Sequence, residues 1–261
     1  MTLKFYKYQA TGNDFVMIDN RSQFFDKNNT KLVAQLCNRR FGIGGDGLIL
    51  LENTPNYDFR MMYFNANGHE STMCGNGGRC LVAFAKQLGI IQKSTTFLAI
   101  DGPHEARIES SKIHLKMQSV TEVNQYETYT TLDTGSPHYI AFKSNIETLD
   151  VNTEGKKIRC STPFEKEGIN VNFVAQLDQN TFAIRTYERG VENETLSCGT
   201  GATAAAIAMH KTQKTSSEHI LLQTLGGQLE VSFNHNDNAY HNVWLSGSAD
   251  FVFEGSILIS L

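Results

Sequence analysis

The sequence repeats itself at half its own length, so the chain is constrained to fold as two versions of one motif. "ATGNDFVMID" (10–19) aligns with "DTGSPHYIAF" (133–142). "RMMYFNANGHESTMCGNG" (60–77) aligns with "IRTYERGVENETLSCGTG" (184–201), and "FLAIDGPHEARI" (97–108) with "LLQTLGGQLEVS" (221–232). The offsets are 123, 124, and 124 to 125 residues, one displacement kept across three dissimilar segments. With 261 residues, each half is long enough to bury a core of its own.

Each half is expected to hold short strands, a central helix after its Cys-Gly-x-Gly, and then a hairpin. Strand patterns, alternating or wholly apolar, include "GLILL", "DFRMMYF", "VNFVAQL" and "NVWLSG". The helix in "RCLVAFAKQLG" is expected to stop at Gly89, a C-terminal cap. Its counterpart, "GATAAAIAMH", is small and apolar all round, which predicts burial on every side by surrounding strands. "TKLVAQLCNRRFG" (30–42) predicts an amphipathic surface helix with Thr30 as its N-cap. Two such halves imply two lobes facing one another, with the cysteines meeting from opposite sides.

Charge and cysteine usage narrow the function classes. Net charge is −4 with both signs mixed along the chain, and no basic patch with interleaved aromatics is present, so nucleic acid is not an expected partner. The five cysteines form no CxxC pattern, and their odd number argues against a disulfide framework and for a reducing compartment. "MTLKFYKYQATGNDF" lacks the apolar stretch of a signal peptide, and the apolar runs are too short to span a membrane. A soluble cytoplasmic protein with no membrane partner is expected.

The two cysteines that open helices, Cys74 and Cys198, carry the chemistry. A helix N-terminus presents unpaired N–H groups and the positive end of the helix dipole, and glycines let a ligand approach them. That setting binds carboxylates and favours thiolate over thiol. Two such termini brought together would place a thiol on either side of the carbon next to a bound carboxylate. Inverting an amino-acid α-carbon needs a base on one face and an acid on the other. Cys37, Cys160 and Cys80 are expected to be small buried hydrophobes. His69 with Cys74 and Cys80 matches no zinc spacing, and "GIGGDG" (42–47) lacks the Lys-Ser/Thr of a phosphate loop and predicts a turn before a strand.

"ATGNDFVMID", "FNANG…MCGNGGRC", "GSPH", "YERGVENETLSCGTGA" and "LGGQLEV" resemble the diaminopimelate epimerase family in order and over nearly the whole chain. Proline racemase relatives share the cysteine pair, but this chain has Asn76 after the first Cys-Gly and Glu188-Arg189 before the second cysteine. The resemblance implies an α/β fold of two pseudo-symmetric lobes, each a mixed or antiparallel sheet curled around a central helix. The lobes are expected over 1–120, joined by a C-terminal strand over 250–261, and over 121–249. It implies a homodimeric isomerase, free of pyridoxal phosphate and metal, that interconverts L,L- and meso-2,6-diaminopimelate on the route to lysine and peptidoglycan. Cys74 and Cys198 match the two catalytic bases. Gly75, Asn76, Gly199 and Thr200 match the amide cradle for the reacting carboxylate, and Glu188 the group that holds the reacting ammonium. Asn13, Asn65, Asn170 and Arg189 match substrate-binding positions, and His138 one that shapes the site. Ser136 and Gly47 depart from a common family form with Asn and Gln there, which predicts lost side-chain contacts. Two other functions fit a cysteine pair: a racemase of the proline or hydroxyproline type, and a thiol redox sensor.

Overall fold

The computed structural model describes residues 2–259. Contacts divide the chain into two compact units, Met1–Leu115 with Gly247–Leu261, and Lys116–Ser246. The first holds β1 (Thr2–Ala10), β2 (Asn13–Asp19), α1 (Thr30–Cys37), β3 (Gly47–Glu52), β4 (Phe59–Asn65), α2 (Gly75–Gln87), β5 (Ser94–Ala99), β6 (Gly102–Glu109) and β7 (Lys112–Lys116). The second holds β8 (Val123–Gln125), β9 (Thr130–Asp133), β10 (Pro137–Phe142), α3 (Val151–Arg159), β11 (Asn170–Asp178) and β12 (Thr181–Glu188). It continues through β13 (Asn193–Thr195), α4 (Gly199–Lys211), β14 (His219–Thr224), β15 (Gly227–Asn236) and β16 (Ala239–Gly247). The chain then returns to the first unit as β17 (Asp250–Leu258). The last two residues of the expected C-terminal strand lie outside the described residues.

Duplication is explicit in the strand order. In the first unit the sheet runs β17-β1-β2-β3-β4-β5-β6-β7, with only β2–β3 and β4–β5 parallel. In the second it runs β8-β9-β10-β11-β12-β14-β15-β16, with only β10–β11 and β12–β14 parallel. Order and sense match strand for strand. The short β13 adds to β12 after the Glu188 turn.

The fully apolar β3 has a simple cause: both its faces are covered. Leu48 and Leu50 pack with Leu32, Val33 and Leu36 of α1, whereas Ile49 lies against the first turn of α2 at Gly77. The second unit repeats the arrangement on β11. Val171 and Phe173 pack with Val151 of α3, and Val174 packs with the alanine-rich α4. That helix touches β9, β10, β11, β12, β14 and β15, and Ala202 to Met209 are buried throughout. Its small side chains let strands approach from all around. Each buried Ile or Leu there contributes about 1.5–3 kcal/mol.

Two local expectations are corrected. The first helix is capped by Asn29, whose side chain accepts the N–H of Leu32 at 3.0 Å, and it ends at Cys37 rather than running to 42. Beyond it the chain folds back so that Ile43 and Gly44 donate to the Leu36 carbonyl and Gly45 to that of Cys37, serving carbonyls the helix leaves open. Cys160 is exposed rather than buried, because it sits at the C-terminal end of α3. Helix α3 itself, the counterpart of α1, was not anticipated: its sequence "VNTEGKKIR" is mostly polar and buries only Val151 and Gly155. Gly89 does close α2, at φ 73°, with its N–H on the Lys86 carbonyl and that of Ile90 on Ala85.

Gly155 is where α3 comes closest to the sheet. A Cβ there would lie 2.4 Å from Tyr187 Cβ and 2.6 Å from its Cγ. Alanine gains about 1 kcal/mol of helix propensity over glycine, but a forced separation in a packed contact costs about 1–3 kcal/mol. Gly155→Ala is therefore expected to lower the thermal midpoint, read by circular dichroism. A raised midpoint would show that α3 does not pack this tightly.

Candidate active site

Both Cys-Gly-x-Gly motifs form helix N-termini in which the cysteine is the cap. Cys74 has extended backbone (φ −102°, ψ 145°), and its Sγ accepts the N–H of Gly77 at 3.1 Å. Cys198 is likewise extended (φ −128°, ψ 116°), and its Sγ accepts the N–H of Gly201 at 3.4 Å. Sulfur thus stands where a Ser or Asp oxygen usually caps a helix. Space around the second glycine of each motif is tight: a Cβ on Gly77 would lie 3.1 Å from Cys74 Sγ and need it to give way slightly, and one on Gly201 would lie 2.5 Å from Asn172 Oδ1, closer than a Cβ can sit without a shift. Both sulfurs are half-buried. By contrast, burial pushes the Cys37 thiol up to about 12 and that of Cys80 further still, so neither ionises near neutral pH.

In the first unit the repeated Thr-Gly explains itself. Gly12 takes φ 86°, and the buried Thr11 hydroxyl donates to Asn76 Oδ1 at 3.4 Å in the first turn of α2. The side chain of Asn76 is buried, and its amide donates to Asn13 Oδ1 at 3.3 Å. The Asn13 amide in turn donates to Asp46 at 2.6 Å. Asp46 belongs to the 42–47 turn, which is tied down by an ion network. Arg39 bonds Asp46 at 2.8 Å and Asp14 at 2.5 Å, and Lys7 pairs with Asp14 at 2.6 Å and donates to the Gly44 carbonyl. Burial acts to raise the Asp14 carboxyl, but hydrogen bonds from Arg39 and Lys7 prevail and bring it down to about 2. Asn65 closes β4, and its N–H donates to the His69 carbonyl at 3.0 Å. Asn13, Asn76 and Cys74 therefore belong to one connected region of this unit.

In the second unit Thr134 repeats the role of Thr11, with its hydroxyl on the Thr200 carbonyl at 2.9 Å. Asn170 is buried and bridges three groups. Its amide donates to Ser136 Oγ at 2.9 Å and to the Pro137 carbonyl at 3.3 Å, and its oxygen accepts the N–H of Arg189 at 2.9 Å. The Arg189 guanidinium donates to Ser136 Oγ at 3.2 Å and to the Glu167 carbonyl at 3.0 Å. Those acceptors are neutral, which leaves its charge uncancelled by them. Glu188 accepts the Thr195 hydroxyl at 2.6 Å. His138 is fully buried, and Asn172, whose oxygen is taken by Thr186 at 2.9 Å, turns its amide to His138 Nδ1 at 3.0 Å. That contact makes Nδ1 the acceptor and puts the proton on Nε2, a buried donor with no partner among the described residues. Burial, aided by the charge of Arg189, lowers His138 to about 3, so the ring is neutral.

The family model described as diaminopimelate epimerase matches residues 5–122 and 130–252. Similar curated proteins include a diaminopimelate epimerase of Flavobacterium psychrophilum, 59% identical over 98% of this chain and 100% of its own length. Another, from Chlorobaculum tepidum, is 41% identical over 96% of this chain and 99% of its own. The chain belongs to the diaminopimelate epimerase family. Its fold is also that of a Bacillus anthracis phenazine biosynthesis protein of the PhzF family (TM-score 0.79, 14% identity, covering 99% of this chain and 100% of that one). A probable proline racemase from Agrobacterium radiobacter K84 shares it too (TM-score 0.71, 14% identity, 99% and 93% covered).

For a member of the diaminopimelate epimerase family, the two departures are now concrete. Ser136 keeps hydrogen bonds to both Asn170 and Arg189. Gly47 has no room for a side chain, since a Cβ would lie 2.6 Å from both the Phe64 carbonyl and the Tyr63 ring. Arg79, Asp46 and Asn172 were not anticipated as parts of these regions. Arg79 sits inside an apolar helical run, and nothing in the neighbouring residues says where its guanidinium goes.

A buried neutral histidine has a pH signature. Folded His138 is neutral down to about 3, whereas an unfolded histidine protonates near 6.5. Between those values the unfolded state binds the extra proton, so the contribution is complete above 6.5 and is lost as pH falls toward 3. At pH 5 the loss is about 2 kcal/mol. Urea unfolding at pH 7.5 and pH 5 is expected to show the native chain losing about that much more than His138→Gln. Equal losses would mean that His138 is not held neutral.

Proposed function

We propose that this chain is a diaminopimelate epimerase, interconverting L,L- and meso-2,6-diaminopimelate without a cofactor. Cys74 and Cys198 are the proton-transfer groups in this reading. One sulfur, as thiolate, takes the α-proton; the C–H bond breaks and its electron pair stays on carbon. The other, as thiol, delivers a proton to the opposite face, and the sulfurs exchange protonation states. The observation that carries this reading is the capping geometry occurring twice, once in each unit, in a chain matched by the family model through both halves.

The remaining roles follow from the same chemistry. The first-turn N–H groups of Gly75, Asn76, Gly199 and Thr200 lie where a helix offers no partner of its own. They are suited to hold the reacting carboxylate and the charge that develops next to it. Glu188 would face the reacting ammonium. Arg189, bonded among the described residues to the neutral oxygens of the Ser136 hydroxyl and the Glu167 carbonyl, has a fork suited to the distal carboxylate. Asn13, Asn65 and Asn170 would complete the polar contacts, and neutral His138 would shape the wall near Arg189. A donor set of this kind suits a substrate with two carboxylates and two ammonium groups better than proline.

The setting belongs to the same proposal. Among the described residues no disulfide is formed by any of the five cysteines, which fits a cytoplasmic enzyme whose thiols must stay reduced, serving lysine and peptidoglycan precursor synthesis. No described helix is long and apolar enough to cross a membrane. A homodimer is part of the reading, and Phe251, Val252 and Phe253, exposed on β17, are apolar surface that such an assembly would cover.

Incubation of the reduced protein with L,L-diaminopimelate, L-proline and trans-4-hydroxy-L-proline, followed by chiral chromatography, tests the substrate. Epimerisation of diaminopimelate alone is expected. Cys74→Ala and Cys198→Ala should each lower the rate by about 10²–10⁴ with unchanged circular dichroism. Near-native turnover by either variant, or turnover of proline, would contradict the proposal.

A further inference from the structure

Five residues after each cysteine the duplication places different chemistry, Arg79 in one helix and Thr203 in the other. Each lies at the same place in its helix and each is fully buried. They even serve the same carbonyl: Arg79 Nη1 donates to Gly75 O at 3.2 Å, and Thr203 Oγ1 donates to Gly199 O at 3.0 Å. One side chain is a cation and the other is neutral. The remaining Arg79 acceptors are Asn76 Oδ1 at 2.9 Å, Thr11 Oγ1 at 3.3 Å and the Ser248 carbonyl at 3.3 Å. None of them carries a formal charge.

We propose that the buried guanidinium of Arg79 makes the two cysteine termini electrostatically unequal, so that the resting negative charge sits on Cys74 while Cys198 remains a thiol. The assignment rests on the two-cysteine reading above and adds which sulfur is ionised before substrate arrives. Arg79 is a positioning residue, acting through Cys74 and Asn76.

Burial of a guanidinium without a carboxylate partner is costly. Burial lowers Arg79 to about 10, with coulombic attraction to Cys80 and Cys74 acting the other way, so the side chain remains charged near neutral pH. Of those two sulfurs, Cys80 is held protonated by its own complete burial. Cys74, half-buried at the helix terminus, is left to balance the charge. Other groups on the strands packed against α2 do not substitute for it. Burial raises the Tyr8 phenol of β1, Asp14 of β2 is matched by Lys7 and Arg39, and Asp250 of β17 accepts from Gln9. Strands β3 and β4 present Ile49 and Met61 to the first turn. Around α4, His138 of β10 is neutral, Asp133 of β9 accepts the Gly135 N–H, and Glu188 of β12 accepts from Thr195. Arg189, the cation that acts on His138, is only part-buried and is held by Ser136 and the Glu167 carbonyl; no cation stands at the position equivalent to Arg79, which Thr203 occupies.

The test reads each sulfur alone. Iodoacetamide alkylation is followed from pH 5 to 10 by peptide mass mapping, for Cys74 in a Cys198→Ala chain and for Cys198 in a Cys74→Ala chain. The Cys74 midpoint is expected about one to two pH units below that of Cys198. In the Cys198→Ala background, Arg79→Met should raise the Cys74 midpoint by a similar amount, and Arg79→Lys should restore most of the difference. Equal midpoints in the two parent chains would overturn the assignment, even if Arg79→Met does not fold. An unchanged Cys74 midpoint in a folded Arg79→Met chain would also overturn it. Alkylation is measured without diaminopimelate, so a chain that fails to epimerise would overturn the functional reading without moving either midpoint, and the two failures are distinguishable.

Discussion

A sulfur atom accepting the N–H three residues ahead of it is the contact around which each half of this protein is arranged. Thiols are weak acceptors, and a serine or aspartate would cap either helix more strongly. What the cysteine supplies instead is an ionisable group in the field of unpaired backbone N–H groups. Keeping it there imposes conditions nearby. The position three ahead favours glycine, because a Cβ on Gly201 would collide with Asn172 Oδ1 and one on Gly77 would crowd the sulfur. A threonine must descend from the preceding Thr-Gly turn onto the second helical residue, as Thr11 and Thr134 do. The short strings that recur in both halves of the sequence are thus separate requirements of one contact.

The sheets exist to hold those helix ends in place. Central strands β3 and β11 are covered on both faces; β3 accordingly runs apolar without alternation, while β11 buries Asn170 and Asn172 among its apolar residues. Helix α4 shows the other extreme, a run of alanines whose small side chains allow strands around most of its circumference. Its low side-chain volume is a packing choice, while its N-terminal cysteine is a chemical one, and the two occupy opposite needs of a single element.

Much of this was legible in the sequence because the chain states it twice. The constant offset exposed the repeat, glycine and periodicity placed most strands and both central helices, and the Cys-Gly-x-Gly strings marked the helix ends. Legibility failed where the signal was weak or distant. Helix α3 is so polar that only Val151 and Gly155 are buried, so an apolar period could not reveal it. Asn29 and Thr30 are both good caps, and the backbone chose the earlier one. Ser136 was expected only as a lost contact, yet its hydroxyl joins Asn170 to Arg189 across residues far apart in the chain. Arg79 was hidden for a similar reason: its partners Thr11, Asn76 and Ser248 come from three separate segments.

The proposed chemistry is one base and one acid acting from opposite faces of a carbon, and isotope position reads that directly. L,L-diaminopimelate would be converted in D₂O for a small fraction of a turnover equilibrium, and both isomers analysed by NMR at the α-carbon. Two separate sulfurs predict deuterium in the meso product while the recovered L,L-isomer still carries protium. Equal deuterium in both isomers from the earliest times would contradict the account, because a single group would then be removing and returning the proton.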